Sequence, residues 1–195
     1  MRKKLVATVL VLLLCIGFVQ DANAAKGESL DASIKNFMKY VKKVDYSGID
    51  KYVKSWYDNN ILSDISQMPH LESQIKKANK KMTYKVVSKK VKGKKATVKI
   101  KIKYLDQSEF ALSMLAEEMV DIVWTGTDTS TMNEEEYYKY VDGLAEHAQE
   151  ESYKDTYKTK TLTLTFVKDK NNWKLKKMTE KIENILVDNF LRSYS

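Results

Sequence analysis

Cysteine is almost missing from this 195-residue chain; Cys15 is the only one. It lies in an N-terminal stretch that reads as a removable leader, so residues 25–195 offer no thiol. Disulfides, cysteine nucleophiles and thiolate metal sites are thereby excluded. Proline is represented by Pro69 alone, and glycine occurs six times. Neither a glycine-rich phosphate loop nor a Gly-x-Ser-x-Gly nucleophile elbow is present. Histidine is limited to His70 and His147, far apart and without a His-Glu-x-x-His pair, so a histidine metal centre is not expected. Asp128 lacks the spaced carboxylates and central glycine of a calcium loop. Each histidine reads as an ordinary structural residue. Beyond residue 24 no apolar run approaches the ~18 residues that a membrane span requires.

What is present begins with the leader itself. Arg2, Lys3 and Lys4 precede an apolar run from Leu5 to Val19, and Ala22-Asn23-Ala24 forms a small-x-small site. That order predicts a secretory signal peptide, residues 1–24, cut after Ala24. Lipid anchoring at Cys15 is not expected, because bulky Leu14 stands where a lipoprotein signal needs a small residue. The remaining residues, 25–195, have the length of one domain. They carry 31 Lys+Arg against 25 Asp+Glu, a net charge of +6.

Hydrophobic periodicity then divides the chain. Leu30, Ile34, Phe37, Met38, Val41 and Val44 share one helical face, with Ser29 as cap. After Asp45-Tyr46-Ser47-Gly48, a capping box from Ser47 to Asp50 predicts a short helix that turns Ile49, Tyr52, Val53 and Trp56 inward. Asp58-Asn59-Asn60 reads as a loop. Pro69 opens a third helix with Leu71, Ile75 and Ala78 inward. Strand period follows, with Tyr84 and Val86, then Ala96, Val98, Ile100, Ile102 and Tyr104, alternating with a lysine-rich set about Lys92-Gly93-Lys94. Asp106 to Glu109 predicts a capped helix with Phe110, Met114, Leu115, Met119 and Ile122 inward. Thr125 to Asn133 is a polar loop, and Trp124 reads as lying inside this Gly/Thr-rich connection between two helices. Asn133 and Glu136 cap a helix turning Tyr137, Tyr140, Val141, Leu144 and Ala148 inward. A second hairpin runs through Leu162, Leu164 and Phe166, turns at Asp169 to Asn172, and returns through Trp173 and Leu175. Thr179 caps a last helix with Ile182, Ile185, Leu186, Asn189 and Phe190 inward. The expected class is α+β, an antiparallel sheet of about four strands in two hairpins packed on one face by helices.

Residues 29–57, the stretches Met82 to Tyr104 and Thr161 to Met178, and the strand ending Trp173-Lys174-Leu175 resemble nuclear-transport-factor-2-like (cystatin-like) domains. Similar arrangements occur in secreted proteins and lipoproteins of Gram-positive bacteria. The resemblance implies a curved sheet wrapping a conical pocket, and it implies no particular activity. The chain departs from simple members of that family in a helical insert at about 106–152.

That insert is the least ordinary part of the charge pattern. Residues 106–151 hold thirteen Asp+Glu and only Lys139 in opposition, a net of −12, so the rest of the exported chain carries +18. Lys95, Lys99, Lys101 and Lys103 alternate with the apolar set of their strand and are expected on the outer sheet face. Lys85 and Lys89 are expected beside them, with Lys174 and Lys176 on the second hairpin. Such a face suits a polyanion. Nucleic acid is not the expected partner, because no aromatic side chains interleave with these lysines. An anionic wall polymer or membrane surface is the candidate. Alternatively the acidic helices cover the lysines, or hold Ca²⁺. For a pocket, Trp56, Tyr104, Trp124, Tyr140 and Trp173 are the candidate rim.

The resulting expectation is an exported, non-enzymatic binding module without cofactor or metal, monomeric or weakly dimeric. The alternative is a small enzyme resembling ketosteroid isomerases. Asp106 beside Tyr104 is its one acid–base pair, and Asp106 as a helix cap is the plainer reading.

Overall fold

A computed structural model describes residues 27–56, 64–151 and 153–186 of the chain. The leader, Cys15, Ala22, Ala24, the Asp58–Asn60 loop, Asn189 and Phe190 lie outside the described residues. Helix α1 (Leu30–Lys43) starts at Ser29, whose hydroxyl accepts from the Ala32 N–H, and stops at Val44 in the left-handed region at φ 52°. Its apolar stripe, Ile34, Phe37, Met38 and Val41, is buried. The next helix, α2 (Tyr46–Asp50), is one turn long, and its cap is Asp45 rather than Ser47. Asp45 accepts from the Gly48 N–H at 2.9 Å, while the Ser47 hydroxyl also donates to that carboxylate. A Cβ at Gly48 would overlap the Tyr40 ring, so only glycine lets α2 fold back against α1. Helix α3 (Pro69–Lys81) begins with proline in its first turn and buries Leu71, Ile75 and Ala78.

The sheet is four-stranded and antiparallel, in the order β1-β2-β3-β4. Its strands are β1 (Thr83–Lys92), β2 (Lys95–Leu105), β3 (Tyr157–Asp169) and β4 (Asn172–Leu175). Gly93, at φ +56°, makes the two-residue turn between β1 and β2. Ala96, Val98, Ile100, Ile102 and Tyr104 of β2 are buried, as are Leu162, Leu164 and Phe166 of β3. Helices cover this side, with Phe37 of α1 meeting Phe166 edge-to-face at 6.5 Å. Residues 52–55 run along the β4 edge, where the Leu175 N–H donates to the Tyr52 carbonyl at 2.7 Å. Among the described residues no layer covers the opposite face of the sheet, and its lysines are exposed. The chain is therefore an α+β protein built on one sheet with its helices on one side.

Between the hairpins lie α4 (Ser108–Val120), a π-helical turn (Asp121–Thr125), a short 3₁₀ turn (Thr129–Thr131) and α5 (Glu134–Glu150). The capping box at Asn133 and Glu136 forms as the spacing predicts. Other expectations fail here. Asp106, two residues ahead of Ser108, accepts from the Ser108 N–H and hydroxyl instead of forming a capping box with Glu109, and Gln107 takes the cap position. Only Phe110, Ala111 and Met114 of α4 are buried; Met119, Ile122 and Tyr137, expected inward, are exposed. The reason is length: the first turns of α4 span the available core, and the helix then projects past it. Helix α6 (Glu180–Leu186) closes the described chain, its start held by Thr179, whose hydroxyl accepts from Ile182.

Candidate functional site

The exposed sheet face is built by strand alternation. On β2, Lys95, Lys99, Lys101 and Lys103 point away from the helices and are exposed, with successive same-face residues about 7 Å apart. On β1, Lys85 lies directly opposite Lys101 and therefore shares its face. Lys89 does not. Val87 is an extra residue in β1, a bulge between the Val86–Ile100 and Ser88–Lys99 pairs, and it shifts the register by one. A one-residue slip exchanges the faces of everything beyond it. Lys89 consequently pairs with Val98 of the core-facing set, and its ammonium binds Asp31 of α1 at 2.6 Å. The bulge moves Lys90 and Lys92 to the lysine face instead, where Lys92 stands opposite Lys95.

The partner column on β3 is threonine. Thr159, Thr161, Thr163 and Thr165 face Lys103, Lys101, Lys99 and Thr97 across the β2–β3 ladder. Tyr157 joins them at one end, with the Lys103 ammonium 4.5 Å from its ring centre, so one aromatic side chain does border the lysines. Among the described residues no carboxylate forms an ion pair with Lys85, Lys95, Lys99, Lys101 or Lys103, and the acidic helices leave all five exposed. Lys85–Lys101 and Lys92–Lys95 set like charges directly opposite each other, which weakens a sheet. An anion lying between them removes that cost.

A second basic feature lies across the edge strand. Lys35, Lys39, Lys42, Lys43 and Lys80, with Tyr84, line a cleft of about 490 Å³ between α1, α3 and β1. Tyr84 and Lys85 are adjacent on opposite faces of β1, so cleft and lysine face flank the same edge. The sequence signal was available in the helical spacing of Lys35, Lys39, Lys42 and Lys43, all on one side of α1.

The five aromatic candidates stand apart from one another. Tyr104 and Trp173 belong to the core. Trp56 is half-buried, its indole N–H donating to Asp50 at 2.7 Å. Tyr140 is half-buried in α5; burial first, then the Asp121 and Glu118 charges, push its hydroxyl up to about 12. Trp124 is 82% exposed in the π-helical turn. None of them lines the lysine cleft or the acidic cleft of about 600 Å³ beside Asp64, Glu134 and Tyr138. Asp106 borders a smaller cleft of about 140 Å³ with Gln107, Phe110 and Tyr153, and Tyr104 does not open onto it. Burial raises the Asp106 carboxyl, but Lys158 at 2.8 Å and two hydrogen bonds from Ser108 outweigh it and hold the group below its ordinary range. Proton abstraction in an apolar pocket calls for the opposite shift.

Among the described residues no three His, Cys, Asp or Glu side chains form a metal-sized group, and no helix is long and apolar enough to cross a membrane. No protein-family model and no curated protein matches the chain. Among solved structures it is similar to a candidate lipoprotein of Bacillus subtilis, ycdA, with 18% identity and a TM-score of 0.42. The match covers 80% of this chain and 54% of the other, so the chain spans about half the length of that structure.

Proposed function

We propose that this protein is an exported, non-enzymatic binding module of nuclear-transport-factor-2-like architecture whose bare sheet face holds an anionic polymer of the cell envelope. The observation that carries this reading is the lysine–threonine face. Seven lysines, Lys85, Lys90, Lys92, Lys95, Lys99, Lys101 and Lys103, are exposed on one surface with no ion-paired carboxylate among the described residues, and two cross-strand pairs set lysine against lysine. Ammonium groups spaced at about 7 Å attract repeated negative charge without reading sequence. Threonine hydroxyls alongside them can donate to the same oxyanions. The leader-like order of residues 1–24 supports a location outside the cytoplasm, where nucleic acid is scarce and wall-linked polyanions are abundant.

Retention on an anionic matrix tests the reading. The protein should elute at moderate salt, and Lys99→Glu with Lys101→Glu should abolish retention while leaving the fold intact, since both side chains are solvated. Retention that ignores both salt and the double substitution would refute it.

A further inference from the structure

Helix α4 is apolar on two opposite sides. Phe110, Ala111 and Met114 enter the core. Leu112, Ala116, Met119, Val120 and Val123, at i, i+4, i+7, i+8 and i+11, form a second stripe that is exposed throughout. Such spacing is that of a helix packing against another element. The stripe ends at Trp124, and with Ile122 it presents on the order of 600 Å² of apolar surface, against roughly 800 Å² per partner in a standard interface. A patch of that extent on a monomer marks a docking surface.

We infer that α4 is a self-association seam, packing its outer stripe against the α4 stripe of a second copy across a two-fold axis. The stripe is complementary to itself, as a two-fold interface requires. Glu118 acts on Tyr137 and Asp121 on Tyr140, both of α5, so these charges lie off the stripe, and Glu109, three residues before Leu112, flanks only its N-terminal end. An anionic membrane is disfavoured as occupant because residues 106–151 carry −12. The same charge makes two copies repel at long range, and salt screens that repulsion. Dimerisation therefore tightens as salt rises, opposite in sign to polyanion binding on the lysine face. The seam uses none of the lysine-face residues, so either idea can fail without the other.

Sedimentation velocity of the purified protein over a concentration series, at low and high salt, is the test. The expected result is a reversible dimer favoured by salt. Trp124→Ala weakens it about 30-fold or more, the scale of a buried aromatic anchor. Met119→Glu with Val123→Glu abolishes it, with an unchanged circular dichroism spectrum because both side chains are exposed. A monomer at every concentration overturns the inference. So does a dimer indifferent to both variants, or a monomer whose Trp124 fluorescence shifts to the blue on anionic vesicles.

Discussion

The carboxylate of Asp142 on α5 caps α3: Oδ1 accepts from the backbone N–H of His70 at 2.7 Å and of Leu71 at 3.1 Å, and Oδ2 meets His70 Nδ1 at 2.8 Å. Pro69 begins α3 without a side-chain cap of its own, so a residue 72 positions beyond His70 supplies one. Gln149 adds a hydrogen bond to the His70 carbonyl at 2.6 Å. One charge of the acidic insert is thus spent on fastening the insert to the domain. Asp142→Ala should lower unfolding free energy by about 1–3 kcal/mol in urea denaturation, the scale of a lost cap plus a stranded buried donor. An unchanged midpoint would show that the cap is replaced by water.

Stability should fall as pH rises, for two reasons of the same sign that act in successive windows, Glu183 between about 4.5 and 7 and His70 above about 6.5. The hydrogen bond to Asp142 raises the His70 pKa, with Asp142 and Glu146 charges adding to it against some desolvation. A raised folded-state pKa gives stability that is complete below about 6.5 and lost as pH climbs through the folded value. Glu183 is 2% exposed, and burial, then Glu180 and Asp64, push it up from 4.5 to about 7. It favours the fold fully below about 4.5, and that stabilisation, up to about 3 kcal/mol, disappears as pH rises through 7. Glu183→Gln should flatten the pH dependence between 4.5 and 7 and stabilise the protein at pH 8. A steeper loss at pH 8 would contradict this assignment.

The bulge at Val87 makes a prediction that separates two neighbouring lysines. Lys89→Glu should leave polyanion retention nearly intact, because that ammonium sits on the helix side against Asp31. Lys101→Glu should weaken retention several-fold, since it removes one positive charge from the face and adds a negative one. Equal losses from the two substitutions would mean that the bulge does not set the binding face.

Much of this architecture was legible in the chain. The three- and four-residue spacing from Leu30 to Val41 and the strict alternation from Lys95 to Tyr104 each describe an element whose neighbours are all local or all core. The Asn133–Glu136 cap was equally readable, because its partners are three residues apart. The misses are long-range or combinatorial. Val86 and Val87 side by side hint at a bulge, but which strand absorbs the extra residue depends on its partner, so alternation alone puts Lys89 on the wrong face. Asp45 and Ser47 are both good caps, and the closeness of Gly48 to Tyr40 decides between them. Period alone cannot show where the core ends along α4, which is why Met119 and Ile122 read as buried. Asp142 was one of thirteen acidic residues, and nothing local distinguished it as a cap for Pro69–Lys81.

The salt dependence of affinity for a purified anionic wall polymer tests the central claim most directly. If the lysine face neutralises polymer charge, log K should fall linearly with log salt concentration. Lys99→Gln with Lys101→Gln should then make that slope shallower by about two, one for each ion pair lost. A slope near zero, or one unchanged by the double substitution, would contradict the account.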